Sequence, residues 1–249
     1  MIDQATTVEE EQALADVAMP AAEPVTTPPL SEDTHPVSYG VSRSIVVLSD
    51  PDGARAEAIR ALRAHLLAGH MAHGRRSLAV CGAGTNSGST FLAVNLAVAF
   101  AKAGISTLLI DADIYDSEVC DFIRPDRSVP GLRDILDAPE RSIVDNIRTD
   151  VMPNLSVMYS GTEKPNASEL FASRQFKLLI DDCMRDHEIT IVNTPSAHSA
   201  ADVRRIAKSV RYALVVARRD HTLRSDLREL IDELDSDRVN LIGTFLSDF

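Results

Sequence analysis

The sequence predicts an α/β fold, a mostly parallel sheet with helices on both faces, and three observations carry that prediction. From residue 43 to the end, short β-branched and Leu-rich runs alternate with segments of helical period, the pattern of strand–helix–strand units. Their lengths are those of strands and helices. The chain of 249 residues, with 45% hydrophobic and 25% charged residues, has ordinary globular composition and can bury a sizeable core.

Taken in order, helical periodicity predicts helices over 54–67, 88–103, 174–186, 200–208 and 223–234. Strands are predicted over 77–81, 107–111, 154–159, 189–193, 212–217 and 240–245. Ligands of such sheets sit at the carboxyl ends of strands, so the segments following Cys81, Asp111 and Asn193 are the places to look. Residues 1–42 read differently. They hold five of the twelve prolines, eight acids and no Lys or Arg, a composition that cannot bury enough apolar surface to offset ordering entropy. They are expected to form a disordered acidic arm before a domain over 43–249.

The net charge of -12 falls to -4 once that arm is set aside, and no basic stripe is present. Nucleic acid is therefore excluded as a partner, because backbone affinity needs clustered Lys and Arg. Cys81, Cys120 and Cys183 are too few and too scattered for a disulfide framework, which fits a reducing cytoplasm. No signal-peptide pattern and no apolar run of spanning length is seen, so a chain that neither crosses a membrane nor is secreted is expected.

The run from Leu78 to Thr90 passes from a strand through small residues into a helix. Backbone N–H groups of such a loop, with the positive end of the helix dipole, surround an anion. Against the template [AG]-x4-G-K-[ST] it reads Ala83-x4-Gly88-Ser89-Thr90, with Ser in place of the phosphate-gripping Lys. The loop Gly84, Thr85, Asn86, Ser87, Gly88, Ser89 and Thr90 is the candidate nucleotide site. Two other readings stay open on local sequence: a dinucleotide-binding fingerprint built on Gly82-x-Gly84 with Asp111 at the next strand end, and a turn that packs a helix on a strand and binds nothing.

Several separated segments together resemble one family. They are Ala56-Glu-Ala-Ile-Arg-Ala-Leu-Arg63, the loop ending Gly88-Ser-Thr90, Asn95-Leu-Ala-Val-Ala-Phe, Leu108-Leu-Ile-Asp-Ala-Asp113, Gly131-Leu-Arg-Asp-Ile-Leu136, Asn154-Leu-Ser-Val, Pro165-Asn-Ala-Ser-Glu-Leu170 and Ile191-Val-Asn-Thr-Pro195. Their order and spacing resemble the bacterial tyrosine kinase (BY-kinase) domains of exopolysaccharide and capsule biosynthesis, members of the MinD-like P-loop group. The resemblance implies a P-loop NTPase-like sheet, and ATP or ADP with magnesium as ligands. It makes Thr90 and Asp111 metal-binding residues, Asp111 and Asp113 catalytic ones if the chain is active, and Asn193 part of the nucleotide site. It also implies that Glu57, Arg60 and Arg63 mediate self-association into a homo-oligomer.

The departures from the family fall on its chemistry. Ser89 stands where the family has Lys, a charge-assisted bond worth about 1.5–3 kcal/mol, and Asn193 stands where the distal acidic motif ends in Asp. Ile114-Tyr115 replaces the basic residue after the Asp-x-Asp motif, and the four tyrosines, Tyr39, Tyr115, Tyr159 and Tyr212, form no C-terminal cluster. Nucleotide and magnesium binding are accordingly expected to be weakened. The expectation is a pseudokinase that regulates polysaccharide polymerisation, chain length or export. It would be cytoplasmic and held at the inner face of the membrane by a chain-length determinant (polysaccharide co-polymerase). The alternatives are an active tyrosine autokinase and a dinucleotide-binding module.

Lesser candidates are weaker. His65, His70 and His73 do not share a helix face and lack further ligands. Cys81 reads as a small core residue. Ser196, His198 and Asp202 imitate a hydrolase set without a nucleophile elbow. Arg204, Arg205, Arg218 and Arg219 read as solvated surface or a hold on an anionic partner.

Overall fold

The computed structural model describes residues 36–137, 142–162, 167–195 and 200–248. In chain order the elements are β1 (Tyr39–Val41), α1 (Val46–Ser49), α2 (Ala54–Gly69), β2 (Ser77–Gly82), α3 (Ser89–Lys102), β3 (Thr107–Asp111), α4 (Val119–Phe122), β4 (Ile123–Pro125), α5 (Leu132–Asp137) and α6 (Ile143–Asn146). They continue with β5 (Arg148–Met152), β6 (Leu155–Met158), α7 (Ala167–Ala172), α8 (Arg174–Asp186), β7 (Ile189–Asn193), α9 (Ala200–Val210), β8 (Tyr212–Arg218), α10 (Arg224–Ser236) and β9 (Asn240–Ser247). The main sheet runs β5-β6-β3-β7-β2-β8-β9. Every neighbouring pair in it is parallel except β5 with β6.

Period-two geometry sorts the strand residues onto two cores. Leu78 and Val80 of β2 face a layer with Leu109, Ile191, Leu214 and Val216, beneath α2 and α3. Ala79 and Cys81 face the other layer with Leu108, Ile110, Val192 and Val215, beneath α8 and α9. Both faces of β2 are therefore buried, which is why its sequence is continuously apolar. Helix α3 is buried on nearly every side, sandwiched between the sheet and α2, and its all-round apolar sequence follows from that position. Helix α8 is amphipathic instead, and Ser173 caps it by accepting the Phe176 N–H at 3.1 Å.

The structure moves the predicted domain boundary. Residues 37–42, assigned to the arm, belong to the folded unit, which begins at Val37. Tyr39–Val41 pairs antiparallel with β4, and the Asp126 carboxylate accepts from the Ser38 N–H (3.1 Å) and hydroxyl (2.7 Å). Three residues show no periodicity; only the distant partner at 123–125 makes them a strand. The rest of the arm, through residue 35, lies outside the described residues, as do residues 163–166 of the Pro165–Leu170 segment, Ser196 and His198.

The Gly131-Leu-Arg-Asp segment is explained by close approach. A Cβ on Gly131 would collide with the Tyr159 carbonyl oxygen and sit 2.8 Å from the Gly161 nitrogen. The turn is held by Leu132 N–H to Tyr159 O at 2.8 Å and Arg133 N–H to Ser160 O at 2.9 Å. Asp134 completes it, accepting from the Gly131 N–H (2.7 Å) and the Thr162 hydroxyl (2.8 Å). This sets the start of α5 against the end of β6, on the side of the sheet tips where the acidic residues of β3 emerge.

Candidate functional site

The site is assembled at the carboxyl ends of β2, β3 and β7. Gly84, Asn86 and Gly88 adopt positive φ (96°, 53° and 84°), turning the chain from β2 into α3. At Gly82 a Cβ would collide with the Ser87 hydroxyl and lie 2.9 Å from that of Ser89, so only glycine permits the loop to fold back on the strand. Gly88 is the N-cap of α3, with no side-chain cap on the helix. The first N–H groups of a 14-residue helix are thus left to an anion or to water.

Ser89, in the position of the family Lys, is 6% exposed. Its Oγ accepts a long, 3.4 Å hydrogen bond from the Ser87 hydroxyl inside the loop. Thr90 follows, buried in the first turn. The loop tip is held from outside: His221 Nε2 lies 3.2 Å from Thr85 O, and Arg218 Nη1 donates to Asn86 O at 3.5 Å. A cavity of about 230 Å³ adjoins residues 82–84, with apolar walls from Val203 and Leu230 and three carboxylates, Asp226, Glu229 and Glu233, on α10. That rim opposes a polyphosphate.

At the ends of the neighbouring strands, Asp111 and Asn193 are register partners. Asn193 Nδ2 donates to Asp111 Oδ1 at 3.1 Å, and the Asp113 N–H donates to the same oxygen at 3.2 Å. Asp111 is fully buried, and burial pushes its carboxyl up to about 8. Asp111 Oδ2 and Asn193 Oδ1 have no hydrogen-bond partner. The two orphaned oxygens are hard donors of the kind magnesium takes, so these residues fit that ion, with one carboxylate fewer than the family set. No cluster of three His, Cys, Asp or Glu suited to a metal occurs among the described residues.

Asp113 is largely committed to the backbone. Its Oδ1 accepts the N–H groups of Tyr115 (3.1 Å) and Asp116 (3.0 Å), and burial raises its pKa. Two residues to which the sequence reading gave no site role also shape this end of the sheet. Tyr115, in the place of the family's basic residue, donates its hydroxyl to Asp202 Oδ2 at 2.6 Å. The opposite oxygen of Asp202, a buried carboxylate, pairs with Arg205 at 3.0 Å. Arg133 donates to the carbonyls of Ile114 and Gly161, bringing a cation near Asp111. The Gly-Leu-Arg-Asp segment was the signal for it.

The charged motif of α2 is arranged differently from the single slanting face expected of i,i+3 spacing. Arg60 pairs with Glu57 at 2.6 Å within the helix and also donates to Pro51 O. Arg63 turns inward, its Nη1 donating to Ala99 O of α3 at 2.8 Å while its buried Nε has no partner. Among the lesser candidates, Cys81 is a core thiol raised to about 12 by burial. His70 is buried, 2.9 Å from Ser77 O. Arg204 is engaged by Asp237 at 2.6 Å.

No protein-family model matches the chain. It is 31% identical over 193 residues to EpsB of Ralstonia solanacearum, covering 78% of this chain and 26% of that protein. It is 25% identical over 246 residues to the tyrosine-protein kinase Wzc of Salmonella typhi (96% and 34% covered). The chain thus spans about a quarter of EpsB, although it covers 86% of the tyrosine-protein kinase YwqD of Bacillus subtilis at 24% identity. Among solved structures it superposes on the kinase domain of the Escherichia coli tyrosine kinase ETK with TM-score 0.74 and 26% identity, covering 82% of this chain and 79% of that one. The Mg-ADP complex of MinD from Pyrococcus horikoshii shares the fold at TM-score 0.58 and 18% identity, with 69% of each chain covered. The sequence relatives are bacterial tyrosine kinases and the structural neighbours include their kinase domains, so the folded unit of this chain is similar to a BY-kinase domain in sequence and in fold, and it shares its fold with MinD.

Proposed function

We propose that the chain is a pseudokinase of the exopolysaccharide and capsule type. In this reading it acts by assembly with itself and with a membrane chain-length determinant, and it binds nucleotide weakly. The observation that carries the proposal is Ser89: where a lysine ammonium would meet the β and γ phosphates, a small hydroxyl is tucked against Ser87. The Asp111–Asn193 pair supports it. Two carboxylates there would repel one another without a cation, whereas carboxyl and amide form a hydrogen bond that stands alone. Among the described residues no helix is long and apolar enough to cross a membrane; in this reading the chain-length determinant supplies the attachment to the membrane.

If nucleotide is held, the N–H groups of residues 84–90 surround its phosphates, and Thr90 and Asp111 hold magnesium, which would neutralise phosphate charge. Asp113 would take the proton of an incoming hydroxyl. The orphaned oxygens of Asp111 and Asn193 favour a second reading, an active tyrosine autokinase. The dinucleotide reading loses its acid, because Asp111 is buried and bonded to Asn193.

Calorimetric titration with ATP and ADP, with and without magnesium, of the parent and a Ser89→Lys variant separates these readings. We expect no measurable heat from the parent and recovered binding in the variant. Micromolar Mg-ATP affinity in the parent would move the autokinase to first place.

A further inference from the structure

The two outer strands of the main sheet are built in opposite ways. β5 is antiparallel to its neighbour, irregular in register, and carries charged residues at Arg148 and Asp150. These are devices that discourage pairing with another chain. β9 has none of them. It runs eight residues, Asn-Leu-Ile-Gly-Thr-Phe-Leu-Ser, without a charge or a proline. Among the described residues it pairs only with β8, leaving its outer edge open. A parallel edge strand turns a row of N–H and C=O groups outward, and here Leu241 (39%) and Leu246 (66%) are exposed along it.

We propose that β9 is an interface between two copies of this chain, joined edge to edge as antiparallel strands about a two-fold axis. Two features select a second copy as the occupant. The first is charge: β9 is preceded by Arg238 and followed by Asp248. Antiparallel pairing therefore brings Arg238 toward the partner's Asp248 at both ends, whereas a parallel pairing sets like charges together. The second is the register slip between Ala213 and Leu214, before which Leu241 lies beside Ala213 and after which Leu246 lies beside Ala217. Ala213 and Ala217 share one face of β8, so both exposed leucines lie on that face. A two-fold axis normal to the sheet keeps faces in common, so Leu246 of each copy meets the Leu241 end of the other. Such an isologous contact closes at two copies. It uses none of the α2 charges and holds whether or not nucleotide binds.

The test is sedimentation equilibrium of the full chain over a concentration series, in an Arg60→Glu background that removes assembly through α2. The variants are Leu246→Lys, Arg238→Glu, Asp248→Arg and the double exchange, with far-UV circular dichroism as the check on folding. We expect a reversible dimer, weakened about tenfold by Leu246→Lys, weakened by each single charge change, and restored by Arg238→Glu with Asp248→Arg. Amide exchange over 240–247 should slow as concentration rises. A monomer throughout the series, an unchanged dimer constant in Leu246→Lys, or a double exchange no tighter than the singles would overturn the proposal.

Discussion

On α2, the charged side chains are served by their own chain: Arg60 by Glu57 and Pro51, Arg63 by Ala99 of the helix behind it. At the tips of β3 and β7 the polar side chains are buried, and one oxygen on each of Asp111 and Asn193 goes without a partner. The first region is solvated at Glu57 and Arg60, whose polar groups cost little, and only the Nε of the inward-turned Arg63 is buried there without a partner. The second stores unfavourable energy, since an unsatisfied buried polar atom costs about 1–3 kcal/mol. Groups kept at that cost mark the place where the fold once served, or still serves, a ligand.

The largest expected effect follows from that cost. Asp111→Asn should stabilise the domain at pH 7 by roughly 2–4 kcal/mol, read by urea unfolding. The sign follows from the raised pKa: folded Asp111 keeps its proton up to about pH 8, while the unfolded carboxyl loses it near pH 4. The parent's stability from this group is therefore complete below about pH 4 and is lost as pH rises toward 8. The gain from Asp111→Asn should grow across that window, and a gain independent of pH would show that burial of the charge is not its source.

Asn193→Asp sharpens the contrast by restoring a second carboxylate. Without magnesium it should lower stability by about 2 kcal/mol, and millimolar magnesium should recover most of the loss in a thermal melt. Tyr115→Phe, which strips a phenol from the buried Asp202 carboxylate, should cost about 1 kcal/mol. Arg60→Ala should change stability by no more than about 0.5 kcal/mol, because its ion pair is exposed. A loss comparable to that of Tyr115→Phe would mean that the two regions are less different than their geometry indicates.

Much of this arrangement was legible in the residues. The strands at 107–111 and 189–193 and the helix at 174–186 were predicted to the residue, since their apolar periods are set by faces they must bury. The turn from β2 into α3 was read from its glycines. What escaped were contacts between distant segments. β1 depends on β4 across more than eighty residues. The inward turn of Arg63 depends on α3 lying behind α2. The Tyr115–Asp202–Arg205 set joins a loop after β3 to the first turn of α9.

Alone, the amino-acid sequence determined the six parallel strands and the five long helices, the order of the motifs, and the Ser and Asn at positions 89 and 193, where the resembled family has Lys and Asp. These are local properties, written in hydrophobic period and residue type. Only the tertiary structure decided that Asn193 bonds Asp111, that both keep an orphaned oxygen, and that β9, among the described residues, pairs with β8 alone. Those outcomes depend on which strands become neighbours, and strand order is settled by packing the whole sheet against its helices rather than by any one segment's composition.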